Sequence, residues 1–201
     1  MSGAIVAEKK SVKRVAGHAI NPLILNRWSP RAMSGEIITE EEMMTLFEAA
    51  RWAPSSFNHQ PWRFIYARRD SEHWHTLFGL MGEFNQSWTK NAGVLLVVIS
   101  KKTFEHNGKP SVTHRFDTGA AWENLALQAA TMGLIAHGME GFDYDKARTE
   151  LGVSDDYDVE AMVAIGKPGK KEDLPPGLQE REFPSDRKPL KDIIMEGRFR
   201  G

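Results

Sequence analysis

The stretch DTGAAWENLALQAATMGLIAHG, from Asp117 to Gly138, decides the fold because it is apolar on almost every side. Its main polar residues are Glu123, Asn124, Gln128 and Thr131. The pattern predicts one long helix that is covered on most sides, so it either runs through the core or forms a subunit interface. Its alanines would permit close approach of a neighbour: Ala120, Ala121, Ala126, Ala129 and Ala130.

Two apolar runs, one on each side of this stretch, predict the centre of a sheet. AGVLLVVIS at 92–100 and VEAMVAIG at 159–166 are apolar on both faces, which is typical of strands covered by helices above and below. WRFIYARR at 62–69 predicts a third strand, and a helix is expected after it, from about Ser71 to Met81.

The helix with the clearest boundaries is TEEEMMTLFEAARW, at 39–52. Thr39 and Glu42 form a capping-box pattern at its start, and Pro54 cannot continue it. Its apolar stripe consists of Met43, Leu46, Phe47 and Ala50.

The composition limits the kinds of protein that this chain can be. With 201 residues, 41% of them hydrophobic and 26% charged, the chain suits one compact domain or one subunit of a compact oligomer. A formal net charge of -1 gives no reason to expect a nucleic-acid or membrane partner, and no apolar run reaches transmembrane length. The absence of cysteine excludes disulfides, thiolate metal sites and cysteine nucleophiles. We therefore expect a cytoplasmic enzyme or binding protein.

Both ends of the chain differ in composition from the part between them. Residues 1–20 lack the long apolar core of a signal peptide and are interpreted as a lead-in. Proline and charge dominate after Lys167, so residues 168–194 are expected to form an extended arm, followed by a tail at 195–201. The arm ends in LKDIIM, whose apolar residues need cover. Docking on another subunit explains both features, and a disordered tail is the alternative.

Three polar residues near the start of the domain indicate a phosphate site. Arg27, Ser29 and Arg31 alternate in NRWSPRAMSG, so an extended segment points all three the same way, and a helix places the two arginines on one face. Two guanidinium groups and a hydroxyl around one point suit a phosphate. Arg187 in PSDRKP would add a third cation. The alternative is a set of solvated surface arginines.

A second candidate site is the loop in RWAPSSFNHQPWRF, at 51–64, which two prolines stiffen. Its hydrogen-bonding side chains include Ser55, Ser56, Asn58 and Gln60. Hydroxyls and amides both donate and accept, which suits a planar heterocycle such as the pyrimidine side of a flavin. The alternative is a turn whose side chains bond to their own backbone.

Taken in order, these motifs resemble the FMN-dependent nitroreductase family. The resemblance rests on the arginine-x-serine start, APSSFNHQPW, the buried helix, MEGFD and SDRKPL, and it extends from about Asn26 to Pro189. It implies an α+β fold, a three-layer α-β-α sandwich with a mixed, mainly antiparallel sheet. It also implies an interlocked homodimer with FMN at the subunit interface, in which residues 21–194 form the FMN-binding domain.

The resemblance also assigns cofactor-binding residues. Arg27, Ser29 and Arg187 would hold the phosphate, and Arg31 would lie nearer the pyrimidine edge. The opposite subunit would contribute Pro54, Ser55, Ser56 and Asn58. Contacts with the flavin ring would come from Asn85, Glu140 and Gly141. No side chain receives a catalytic role, because the flavin carries the electrons, and no metal is expected.

Two positions depart from the family pattern. Trp28 stands where a second basic residue is common, so the phosphate has one fewer direct cation. Several relatives place a lysine shortly after the position of Asn85. Here Trp88 has that spacing and Lys90 follows, and the sequence leaves open which of the two lies beside the ring.

The implied function is ping-pong electron transfer from NADH or NADPH to a small oxidised acceptor such as a nitroaromatic or a quinone. One alternative is specialised chemistry on the same fold, either reductive dehalogenation or oxygen-dependent flavin fragmentation. Another is a flavin-binding module without turnover. No G-x-G-x-x-G motif follows a strand, which disfavours a Rossmann enzyme. The polar connection that holds Phe104 and His114 is a candidate lid over the substrate.

Overall fold

The structure, a computed structural model, describes residues 14–200. The first 13 residues of the expected lead-in lie outside the described residues. The α-helices of the described part are α1 Pro22–Asn26, α2 Glu40–Arg51, α3 Trp74–Phe78, α4 Glu83–Thr89, α5 His114–Thr131, α6 Tyr144–Glu150 and α7 Pro176–Gln179. Its strands are β1 Trp62–Arg68, β2 Val94–Lys101, β3 Ile135–Met139 and β4 Tyr157–Gly166.

One four-stranded sheet forms the middle layer, in the order β1-β2-β4-β3. Val97 of β2 pairs with Ile65 of β1 on one side and with Met162 of β4 on the other. The prediction that β2 and β4 are the central strands is therefore confirmed. All neighbouring strands in the described residues pair antiparallel, so the parallel pair that a mixed sheet requires is not found among them.

Helices cover both faces of this sheet, which confirms the three-layer α+β sandwich. On one face, α2 and α5 contribute Met43, Leu46, Leu125 and Ala129 to the core. On the other face, α3, α4 and α6 contribute Trp74, Leu77, Trp88 and Ala147. Leu95 and Leu96 are adjacent in β2, lie in different cores and are both fully buried, as alternation along a doubly covered strand requires.

The prediction of one helix from Asp117 to about Gly138 is wrong at its carboxyl end. α5 ends at Thr131, and Gly133 adopts a left-handed φ of 70°. The N–H of Gly133 then donates to the carbonyl of Ala130, and the N–H of Leu134 donates to the carbonyl of Ala129. This pair of bonds is a Schellman motif, which closes the helix and releases the following residues to form β3.

Of the other two predicted helices, one is confirmed and one is shorter than expected. The helix at 39–52 is confirmed with its capping box, in which Thr39 Oγ1 accepts from the N–H of Glu42 and the Glu42 carboxylate accepts from the N–H of Thr39. The helix expected from Ser71 to Met81 is shorter, because α3 ends at Phe78. Met81 instead forms an isolated β-bridge with Phe142.

Residues 167–200, the described chain after β4, contain short helical turns and an isolated β-bridge between Pro168 and Met33. Leu174 and Leu178 anchor it to the core, whereas Leu190, Ile193 and Ile194 remain 48%, 60% and 58% exposed. The apolar end of the arm is therefore uncovered within one chain.

Among residues 14–200, no helix combines the length and the apolar character that crossing a membrane requires.

Candidate functional site

A cavity of about 340 Å³ collects most of the basic residues that the sequence singled out. Its lining consists of Arg14, Arg27, Trp28, Ser29, Arg31, His137, Arg181, Phe183, Ser185 and Arg187. The structure thus brings together all four predicted phosphate-site residues of one subunit, although Arg187 is distant from the others in sequence. It adds two arginines, Arg14 and Arg181, that the sequence analysis did not identify.

Within the cavity, Arg27 is held from two sides. Its Nη1 donates to Ser29 Oγ at 3.3 Å, and its Nε lies 3.6 Å from a carboxylate oxygen of Glu123 in α5. The Arg27 side chain is only 16% exposed. A guanidinium group held in this way can offer its remaining donors in a fixed direction.

The segment that carries Arg31 is pinned between the end of β4 and the C-terminal arm. The Glu182 carboxylate accepts from the backbone N–H groups of Arg31 and Ala32, at 2.7 and 2.8 Å. The N–H of Gly169 donates to the carbonyl of Ala32 at 2.8 Å. A Cβ at Gly169 would lie 2.5 Å from the backbone of Met33, so this crossing requires glycine. Both ends of the chain therefore build one site.

His137 forms the floor of the cavity on the side of β3. Its Nδ1–H donates to the carbonyl of Pro30 at 3.0 Å, and its ring centre lies 4.7 Å from that of Trp88. The pKa of His137 is lowered to about 4, mainly by burial, and the charges of Arg31 and Arg27 contribute in the same direction. The imidazole is consequently neutral at neutral pH.

Trp88 connects the arginines to a second group of predicted residues. The guanidinium carbon of Arg31 lies 6.0 Å from the Trp88 ring centre, and the indole N–H of Trp88 donates to Asn85 Oδ1 at 3.2 Å. Asn85 Nδ2 in turn donates to the carbonyl of Gly141 at 2.8 Å. Trp88 is 2% exposed, whereas Lys90 lies at the exposed end of α4, so Trp88 is the residue that belongs to this group.

The turn of Glu140 and Gly141 is exposed but firmly held. A Cβ on Gly141 would lie 2.7 Å from Asn85 Nδ2, so the contact with Asn85 requires a glycine. After the turn, the N–H of Asp143 donates to the carbonyl of Leu80 at 2.9 Å. The backbone here has a fixed position from which it can contact a ligand.

The loop of Pro54, Ser55, Ser56 and Asn58 does not line this cavity. It lies at the start of α5, where the N–H of Ser56 donates to the Asp117 carboxylate at 3.0 Å. Ser55 Oγ accepts from the N–H of Gln60 at 2.9 Å, which is the backbone-bonding role of the alternative interpretation. The φ angles of Phe57, Asn58 and Gln60 are 52°, 51° and 51°. Left-handed residues other than glycine cost about 1–3 kcal/mol each, so the contacts around the loop must maintain its shape.

An aromatic cluster packs against the loop. Phe57 is 85% exposed, and its ring centre lies 5.7 Å from that of Phe104 in the connection after β2. Phe104 also packs against His59 and His106, at 5.0 and 5.4 Å. The part of the candidate lid that contains Phe104 therefore lies beside the predicted flavin loop.

His114, the other residue named for the lid, faces inward instead. Its Nδ1 is hydrogen-bonded with Ser100 Oγ at 2.7 Å, and it lies with Asp158 and Glu160 in a group whose ligand atoms are within 4.8 Å of one another. Arg115 already pairs with both carboxylates, at 2.6 Å from Asp158 and 3.6 Å from Glu160. The contacts that the structure shows in this group are those of an ion-pair network.

Comparisons with known proteins agree on one family. A family model described as "Nitroreductase family" matches residues 24–77 and 70–167. A solved structure described as an oxidoreductase containing FMN is 51% identical to this chain, with a TM-score of 0.90, and the match covers 94% of this chain and 96% of that one. Protein DrgA of Synechocystis sp. is 31% identical over 174 residues, 70% of this chain and 81% of its own. An NADH dehydrogenase of Thermus thermophilus is 26% identical over 203 residues, 85% of this chain and 92% of its own.

Proposed function

Since this chain belongs to the nitroreductase family, we propose that it is an FMN-dependent oxidoreductase that passes electrons from NADH or NADPH to a small oxidised acceptor. The observation that carries the proposal is the cavity lined by five arginines, with Ser29 and Ser185 among them. Such a concentration of guanidinium groups suits a phosphate, and FMN is a phosphorylated flavin.

The residues of the cavity fit the phosphate end of the cofactor. Arg27, Ser29 and Arg187 would hold the phosphate, and Arg31 would lie towards the flavin ring because it is next to Trp88. Trp28 also lines the cavity, but it has no charge, and Arg181 would supply the cation that this position lacks.

The group of Asn85, Trp88 and Gly141 would bind the ring end. The Asn85 amide is oriented by one bond from Trp88 and one to Gly141, so its direction is set before a ligand arrives. FMN, when bound, supplies the hydride chemistry, and the protein orients it and tunes its surroundings. Glu140 and Gly141 would present the backbone of their turn to the ring.

We further propose that the complete site requires two subunits. Pro54, Ser55, Ser56 and Asn58 lie outside the arginine cavity of their own chain, so they would complete the site of a partner subunit. The domain would comprise residues 21–194, with the arm at 168–194 docked on the partner. The uncovered apolar side chains of the arm support this arrangement.

Nicotinamide and acceptor would use one pocket in turn, which is a ping-pong mechanism. A single shared pocket predicts tolerance of several flat oxidised acceptors, including nitroaromatics and quinones. Initial rates at several concentrations of both substrates should give parallel double-reciprocal lines. Intersecting lines would indicate a ternary complex and contradict this part of the proposal.

The decisive experiment is the visible spectrum of the purified protein before and after anaerobic addition of NADH or NADPH. We expect a yellow protein with two flavin bands that bleach, and the nicotinamide that bleaches them faster is the one that the protein prefers. A yellow protein that neither nicotinamide bleaches would favour a binding module without turnover. A colourless protein that also fails to bind added FMN would overturn the proposal.

A further inference from the structure

Arg14 occupies a central position in the arginine cavity. Its Nη1 donates to the carbonyls of Leu25 and Arg27, at 3.0 and 2.7 Å, and its Nε donates to the carbonyl of Ser185 at 2.8 Å. These acceptors come from two segments that lie about 160 residues apart in the chain. One carries Arg27, and the other is followed two residues later by Arg187. A single side chain thus ties together both backbone segments that supply phosphate-site cations.

The charge of Arg14 is used differently from the charges around it. Burial and the neighbouring charges of Arg187 and Arg27 lower its pKa, while Asp186 acts in the opposite direction. Three of the five N–H donors of its guanidinium group are bonded to carbonyl oxygens. Carbonyls that accept from a cation stabilise that cation among like charges, so Arg14 can stay where Arg27 and Arg187 converge.

The contacts of Arg187 show why such a tie is needed. Its Nη1 lies within hydrogen-bond distance of Ser185 Oγ, at 3.2 Å, and of the backbone carbonyl of Asp186, at 3.1 Å. These contacts are local to its own exposed segment, so they do not fix the distance between Arg187 and Arg27. The bond from Arg14 to the Ser185 carbonyl joins that segment to the rest of the cavity.

We infer that Arg14 is a positioning residue for phosphate recognition: it sets the distance between Arg27 and Arg187 and thereby determines how strongly the cavity binds the phosphate of FMN. This inference rests on the proposed function. A planar guanidinium fork is essential for the role, because an ammonium group cannot reach three carbonyls in fixed directions. A positive charge without the guanidinium geometry would not fulfil this role.

The test compares FMN with riboflavin, which has the same ring and no phosphate. Dissociation constants for both are measured by equilibrium dialysis of the full-length wild type and of Arg14→Ala and Arg14→Lys. We expect both variants to bind FMN about 10- to 100-fold more weakly, which corresponds to the loss of one well-placed charge-assisted bond to the phosphate. Their affinity for riboflavin should be nearly unchanged. Arg68→Ala is the matched control, since Arg68 pairs with Asp70 outside the cavity.

Each other outcome has a distinct meaning. An equal loss of FMN and riboflavin affinity would show a general structural role and overturn the inference. Full FMN affinity in Arg14→Lys would overturn it too, because charge rather than position would then be sufficient. If Arg14→Ala fails to fold, Arg14→Lys still decides the question. A wild type that binds neither flavin would refute the proposed function itself.

Discussion

At the scale of single residues, His137 shows how the site controls charge. It lies against Trp88 and next to Arg27 and Arg31, where a further positive charge would be costly. Burial is the main cause of its lowered pKa of about 4, and the two arginines contribute in the same direction. A neutral imidazole can donate to Pro30 while leaving the positive potential of the cavity to the arginines.

This arrangement predicts a loss of stability in acid. The folded pKa of about 4 lies below the ordinary value of 6.5, so the unfolded chain binds more protons between those two pH values. The contribution of His137 is complete above pH 6.5 and is lost as the pH falls towards 4. At pH 4.5 the loss should reach about 2–3 kcal/mol of the free energy of unfolding.

Urea unfolding of the flavin-free protein at pH 7 and pH 4.5 measures this loss. His137→Gln should lose less stability between the two pH values than the wild type, whereas His75→Gln, at an exposed position, should behave like the wild type. Equal acid sensitivity of His137→Gln and the wild type would contradict the prediction.

The sequence pattern identified Arg27, Ser29 and Arg31 because their spacing alone places them together. It could not identify Arg14 or Arg181, because only the folded chain brings them into the same cavity as Arg27. His137 was missed for a different reason, since the overlong helix prediction hid the strand in which it lies. Glycine after the last apolar turn of a helix, as at Gly133, is the feature that would have revealed the helix end.

At the scale of elements, the connection after β2 is a small hairpin beside the predicted flavin loop. Thr103 and Pro110 form an isolated β-bridge, and the N–H of Phe104 donates to the carbonyl of Lys109 at 2.8 Å. The hairpin places the Phe104 ring against Phe57 and His59. If the loop reaches the flavin of a partner, these rings form one wall of the acceptor pocket.

The hairpin should therefore influence which acceptors react. In Phe104→Ala, we expect kcat/KM for a nitroaromatic to fall about 3- to 10-fold relative to a small benzoquinone, consistent with the energy of one aromatic contact. FMN affinity should not change. Val112→Ala, an exposed and non-aromatic position after the same hairpin, serves as the control. An unchanged ratio of the two acceptors would remove the hairpin from the acceptor pocket.

Elements with strong local patterns were predicted well, as α2, β1, β2 and β4 show. Periodicity and the capping box define α2, and continuous apolar runs define the central strands. By contrast, α4 was not predicted. It has only seven residues, and its N-cap, Gly82, provides no side-chain hydrogen bond. Tertiary contacts of Trp88 and Asn85 stabilise it, and these cannot be read from local sequence.

At the scale of the whole molecule, one chain leaves apolar surface uncovered. Phe116 on α5 is 80% exposed, and Ile193 and Ile194 at the end of the arm are 60% and 58% exposed. Neighbouring exposed apolar side chains, such as Ile193 and Ile194, are candidates for burial in a protein-protein interface. The proposed homodimer, with arms docked on the partner, would cover them.

Negative charge at the end of the arm should consequently dissociate the proposed dimer. The double variant Ile193→Asp/Ile194→Asp should elute as a monomer in size-exclusion chromatography with light scattering, because carboxylates are costly to bury. It should also bind FMN at least 10-fold more weakly if each site needs both subunits. Lys191→Asp adds a carboxylate to the same segment without removing an apolar side chain, and should remain dimeric. A dimeric double variant would contradict the role of the arm.

The bond between Ser56 and Asp117 restricts which substitutions the protein can tolerate. The loop depends on a carboxylate from the first turn of α5. A substitution of Asp117 would therefore affect the loop, although 60 residues separate the two partners in sequence. If the loop were transplanted into another scaffold without that aspartate, the N–H of Ser56 would lack its hydrogen-bond acceptor. The hairpin at Phe104 lies between the two partners in sequence but takes no part in their bond. Insertions and substitutions in the hairpin would therefore leave the bond between loop and helix intact.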